Sequence, residues 1–278
     1  MHAQICTLAG DGSCDRRREG KVTLMKRRKN VENHRDPIRI VPLHGGEVNG
    51  AATPAARLTY RKGPLIRSVQ VFTIFWGPEW KKPDLSQLAG RIDGFFDAIL
   101  TSAVIDDLAE YNVRGYKISH GTRIGTITIT TPALGTSVTD GAIQKMLQQL
   151  AGKRKGVPAA TANTLYFVYV QPGVRVVQGG AASCQAFCGY HNAIGGKIFY
   201  AVMPYPGCKG CTGGLSVFDS LTSTSSHELC EAITDPIPGE GWYDDTYGEV
   251  GDICAWETRQ VAGFTVQLEW SNRSRRCV

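Results

Sequence analysis

No apolar run in the 278 residues approaches the ~20 needed to cross a bilayer. A membrane span is therefore not expected. The charged head, apolar run and small-residue cleavage site of a secretory leader are missing too. Met1 to Ala9 is short and mixed, and Arg16-Arg17-Arg18 and Lys26-Arg27-Arg28-Lys29 follow it. There is no G-x-S-x-G elbow to present a nucleophilic serine. Ser225 and Ser226 do precede His227, but neighbours on a helix do not face each other, so Ser-His-Asp chemistry is set aside. No internal repeat or low-complexity segment occurs.

Basic charge is scarce where a nucleic-acid-binding fold would need it. Residues 1–62 carry 13 Lys/Arg against 6 Asp/Glu, whereas the rest carries 18 against 19. The formal net charge of +6 therefore belongs to the N-terminal arm, and no nucleic-acid partner is expected. Residues 1–58 are polar, basic and rich in breakers without sustained periodicity. They read as a largely disordered, propeptide-like arm ahead of a domain over 59–278.

Cysteine is not scarce. Seven of the nine cysteines lie between Cys184 and Cys277, which points to a stapled C-terminal half and an oxidising compartment, hence a secreted or extracellular protein. Cys254 and Cys277 are expected to pair, because one closes a carboxylate-bearing turn and the other ends the chain after the last strand. Among Cys184, Cys188, Cys208 and Cys211 the sequence leaves open local pairs (Cys184 with Cys188, Cys208 with Cys211), a crossed set, or a four-cysteine zinc site, with disulfides favoured. The odd count leaves one thiol, for which a buried Cys230 is the candidate.

The element order reads as an α/β (α+β) domain around one mixed sheet. Val69 to Trp76 is β-branched and aromatic between Gly63-Pro64 and Gly77-Pro78, a buried strand. Asp84 to Leu100 has helical apolar spacing. Ile124 to Thr131 alternates as a half-buried strand. Thr139 caps a helix to Leu150. Leu165 to Val170 and Ile198 to Met203 are short strands, and Phe264 to Trp270 is a terminal one.

Between them, a helix from Ser216 to Asp235 carries Ser226-His227-Glu228-Leu229-Cys230-Glu231. His227 and Glu231 are four apart and share a face, so they can grip one ion, with Glu228 beside them. Zinc peptidases hold their metal with two side chains at this spacing and use the intervening glutamate to activate water. Here a carboxylate replaces the second histidine. Asp235 lies eight residues beyond His227, roughly 12 Å along the axis, too far to share its ion; a cap or turn before Pro236 suits it better. The third ligand is expected from Gly248-Glu249-Val250-Gly251-Asp252-Ile253-Cys254, with Asp252 first and Glu249 second. Calcium suits such carboxylates as a structural ion, but the histidine favours zinc. His191 sits in what reads as a Cys/Gly-rich turn and could be structural, a ligand, or a group that polarises a substrate carbonyl. Trp242 and Tyr243 could line a substrate cleft or cover the core. His44 and His120 carry no signal.

Several stretches together resemble the EXORDIUM, or phosphate-induced, proteins of plants and their bacterial and fungal relatives. They are Gly63-Pro64-Leu65 leading into Val71 to Gly77, Phe187-Cys188-Gly189-Tyr190-His191, His227 to Pro236, Gly241-Trp242-Tyr243, Glu249 to Cys254, and Trp270-Ser271-Asn272 with Cys277. The resemblance spans roughly residues 60–278. It implies a secreted or wall-associated protein. The plant members are linked to growth responses and have no settled enzymatic role; many keep a His-Glu-x-x-Glu stretch. The chain departs from the family in its missing leader and its basic arm.

The expectation is thus a single zincin-like domain with a motif-bearing helix. Its function is read as a zinc metallopeptidase acting on a peptide or protein substrate. The alternative is a non-catalytic extracellular binding module with a structural metal site.

Overall fold

Strands buried on both faces read as unbroken apolar runs, which is what parallel sheets flanked by helices require. Thr164-Leu-Tyr-Phe-Val-Tyr-Val170 is such a run, buried throughout, and it lies inside a six-stranded mixed sheet. The computed structural model describes residues 40–44 and 56–278. The sheet strands are β1 (Ile40–Pro42), β2 (Ser68–Trp76), β3 (Ser119–Ile129), β4 (Thr164–Val170), β5 (Phe187–Ile194) and β6 (Ile198–Met203). Their spatial order is β1-β5-β6-β4-β2-β3. β6, β4, β2 and β3 run parallel, while β5 is antiparallel to both β6 and β1.

Alternate residues of β4 enter opposite layers. Leu165, Phe167 and Tyr169 face one core, with α1 (Pro83–Ile99) and the motif helix. Tyr166, Val168 and Val170 face the other, with Ile143, Met146 and Leu147 of α2 (Asp140–Leu150). Thr139 caps α2 by accepting from the Ala142 amide at 3.3 Å. The motif helix, α3 (Val217–Thr234), begins at Ser216, whose hydroxyl accepts from the Asp219 amide. A ribbon of β7 (Thr258–Val261) and β8 (Phe264–Gln267) packs on its outer side.

α3 is buried from Ser220 to Thr234. Its small hydroxylated residues allow close approach and bond outward. Ser220 donates to the Cys211 carbonyl, Thr222 to that of Thr265, and Ser225 Oγ lies 2.7 Å from Tyr169 Oη. A Cβ on Gly189 of β5 would stand 2.6 Å from Thr224 Cγ2, so only glycine lets that strand lie on the helix.

Three sequence readings are corrected. Phe187 to Ile194 is a strand, not a turn: Gly189 marks a close crossing rather than a chain reversal. The folded part begins before residue 59. Ile40–Pro42 pairs with β5, and Ala56 and Leu58 are buried in the core. The rest of the expected arm, residues 1–39 and 45–55, lies outside the described residues. The terminal strand stops at Gln267, and Trp270–Ser271 pairs instead with Arg276–Cys277. The four clustered cysteines form disulfides as favoured, in the crossed arrangement that was one of those left open, Cys184–Cys208 and Cys188–Cys211, which leaves no thiolate for a four-cysteine zinc site. Cys254–Cys277 is bonded as expected, and Cys230 is a buried free thiol. No helix among the described residues is long and apolar enough to cross a membrane.

Candidate metal centre

Asp235 stops α3. Its carboxylate accepts from the backbone amides of Gly239, Glu240 and Gly241, folding the chain back after Pro236. It is a cap, and the helix ends before it at Thr234. One turn earlier, the i,i+4 spacing does what the sequence requires: His227 Nε2 and Glu231 Oε1 are 2.9 Å apart, both fully buried. The 248–254 segment folds against this pair. It ends in a one-turn 3-10 helix, Asp252–Cys254, tied by the Cys254–Cys277 bridge. The Asp252 amide donates to Glu231 Oε1 at 3.1 Å, and Asp252 Oδ1 comes to 3.8 Å from His227 Nε2. Gly251 makes this possible, since a Cβ there would stand 2.9 Å from the His227 ring and 3.0 Å from Glu231 Oε1.

β8 supplies a residue the sequence reading did not single out. Gln267 Oε1 accepts from the Trp256 amide at 3.1 Å, and its Nε2 donates to the Gly251 carbonyl at 2.9 Å. These two backbone partners fix which end of the amide is oxygen. That oxygen is 3.0 Å from His227 Nδ1, which must therefore donate. In the neutral ring the lone pair is then on Nε2, facing Glu231 and Asp252. Metal-binding histidines are oriented this way by a carbonyl behind them.

Glu231 Oε2, Glu228 Oε1 and Asp252 Oδ1 are buried without a hydrogen-bond partner, and His227 Nε2 faces only carboxylate oxygens. Leaving such groups unpaired is costly. A divalent cation among His227, Glu231 and Asp252 would meet His227 Nε2, Asp252 Oδ1 and a Glu231 oxygen together, one donor atom from each lying within 4.8 Å of the others. The donor set fits zinc, with one imidazole nitrogen and carboxylate oxygens.

His191 of β5 enters from the opposite side. Its Nε2 donates to the Asp235 carbonyl at 3.1 Å, and its Nδ1 is 3.0 Å from Glu228 Oε2 and 3.5 Å from Glu231 Oε2. Glu249 joins this side rather than the His227 side, with Oε1 3.5 Å from His191 Nε2. Without a cation the cluster must be held by protons. Burial pushes the Glu228, Asp252 and Glu249 carboxyls upward, and repulsion from Glu231 adds to it. Burial alone would lower both histidines, but the surrounding carboxylates raise His227 and bring His191 to about 10. Glu231, although burial raises it, is held at about 2 by the two histidines.

The expected site residues thus divide. His227, Glu228, Glu231, Asp252, Glu249 and His191 come together. Trp242 and Tyr243 do not join them. They pair with Thr59–Tyr60, Trp242 donating its indole N–H to the Tyr111 carbonyl, and Tyr243 is buried. Trp242 borders a cavity of about 810 Å³ with Arg57, Tyr60 and Arg273. The Ser225 and Ser226 hydroxyls bond elsewhere than to histidine: Ser225 pairs with Tyr169, and Ser226 donates to the Ser223 carbonyl and accepts from the Gln267 amide.

No protein-family model matches the chain, and no curated protein matches it.

Proposed function

We propose that the protein is a zincin-like, zinc-dependent metallopeptidase of the EXORDIUM type that acts in an oxidising, extracellular setting. The observation that carries the metal is His227 Nε2: buried, its tautomer locked by Gln267, and facing only carboxylate oxygens, Glu231 Oε1 at 2.9 Å and Asp252 Oδ1 at 3.8 Å. These three side chains would hold the ion. When bound, zinc would supply Lewis acidity and lower the pKa of water. Glu228, the residue after the first ligand, is the proton acceptor. Its Oε1 has no other partner, and His191 orients the carboxylate through Oε2. The three disulfides favour secretion. The substrate in this reading is a peptide or protein.

One observation favours the second reading, a non-catalytic extracellular or wall-associated module with a structural ion: His227, Glu228 and Glu231 are all 0% exposed. The zinc-loaded wild type and Glu228→Gln, each offered a peptide library, separate the two. A peptidase cleaves peptides as wild type and stops in the variant while zinc stays on His227. Zinc binding with no cleavage by wild type supports the structural module.

A further inference from the structure

Glu231 presents one carboxylate oxygen to each histidine. Oε1 is 2.9 Å from His227 Nε2, and Oε2 is 3.5 Å from His191 Nδ1. The two histidines are built alike. Each turns its far nitrogen to an oxygen that can only accept, Gln267 Oε1 for His227 and the Asp235 carbonyl for His191. Each thereby directs its near nitrogen, unprotonated in the neutral ring, at carboxylates. His191 Nδ1, Glu228 and Glu231 offer donor atoms within 4.8 Å of one another, separately from the His227, Glu231 and Asp252 set.

A protonated His191 would satisfy a single oxygen, Glu228 Oε2 at 3.0 Å. Glu231 Oε2 would remain buried without a partner, as it stands here. A cation takes several oxygens at once, and paired sites that share a carboxylate are a recurrent arrangement in metallohydrolases.

We propose that the centre binds two divalent cations bridged by Glu231, the second held by His191 and Glu228. This rests on the reading of the first ion at His227 and Asp252. It leaves Glu228 one free oxygen, Oε1, for the proton. Glu249, behind the His191 ring, is not a ligand of either ion in this arrangement.

The test is cation stoichiometry of the full chain, stripped by chelator under native conditions and titrated with Zn²⁺ and, separately, with Mn²⁺. Two equivalents of zinc are expected in wild type and one in His191→Gln and in Glu228→Gln, with circular dichroism verifying the fold of each. Glu231→Gln should weaken both sites at least tenfold. Bound Mn²⁺ should show an exchange-coupled pair by electron paramagnetic resonance. If His191→Gln does not fold, the Glu228→Gln stoichiometry decides. One equivalent in wild type, unchanged in these variants, overturns the second ion and leaves the first. Two equivalents without exchange coupling, with Glu231→Gln sparing one, overturn the bridge. No binding in folded wild type overturns this proposal and the first ion together.

Discussion

Gln267 Oε1 sits 3.0 Å from His227 Nδ1 while also accepting the Trp256 amide. A side chain from the β7–β8 ribbon thus sets the tautomer of a histidine on the central helix. Replacing it by leucine keeps the bulk and removes the acceptor. Gln267→Leu should lose roughly 10–100-fold in zinc affinity, the usual cost of removing such a supporting partner. Competition with a chromophoric chelator measures it. Unchanged affinity would mean that the amide only fills space.

Gly251 should tolerate no side chain. Alanine would put a methyl 2.9 Å from His227 Cγ and Nδ1, against a ring already held by Gln267. Gly251→Ala should therefore weaken zinc binding more than it lowers the chelator-treated melting temperature. Equal zinc affinity in the two proteins would count against the packing of the turn on His227.

The Cys254–Cys277 bridge ties the Asp252 turn to the chain end across a separation of 23 residues. By loop-closure entropy it is worth about 3 kcal/mol. Cys254→Ser/Cys277→Ser should lower zinc affinity at temperatures where the sheet, followed by far-ultraviolet circular dichroism, is still folded. If the sheet melts before affinity falls, Asp252 is not held by that bridge.

Proton occupancy gives a dependence on pH. His191 is raised from 6.5 to about 10 in the fold: burial opposes the shift, and bonds to Glu228 and Glu231 outweigh it. A raised histidine contributes stability that is present below 6.5 and is lost as pH rises toward 10. In chelator, the melting temperature should therefore decline over that window. Zinc competes with the same protons, so the gain in melting temperature on adding zinc should grow with pH between about 6 and 8.5. A zinc-induced gain that shrinks with rising pH would contradict metal binding at these groups.

The helix ends and the buried strands were legible because their signals are local. Ser216 and Thr139 are caps, Pro236 follows a stop, Val69 to Trp76 is largely β-branched and aromatic, and Leu165 to Val170 is apolar throughout. His227, Glu231 and Asp252 were legible from helical spacing and a glycine-bearing turn. β5 was not, because Cys188, Gly189 and His191 mimic a polar turn, and what makes them a strand lies far off in sequence: the Cys211 bridge to Cys188, Thr224 packed on Gly189, and Glu228 bonded to His191. β1 has three residues and takes its pairing from β5, which nothing in its own sequence announces. Gln267 is a neutral amide on a strand; only its three partners reveal its role.

Zinc K-edge X-ray absorption on the zinc-loaded full chain tests the centre most directly. The expected spectrum has only nitrogen and oxygen neighbours at about 2.0–2.2 Å, with imidazole scattering that weakens in His227→Gln. A sulfur shell near 2.3 Å, or a spectrum unaltered by His227→Gln and Asp252→Asn, would contradict it.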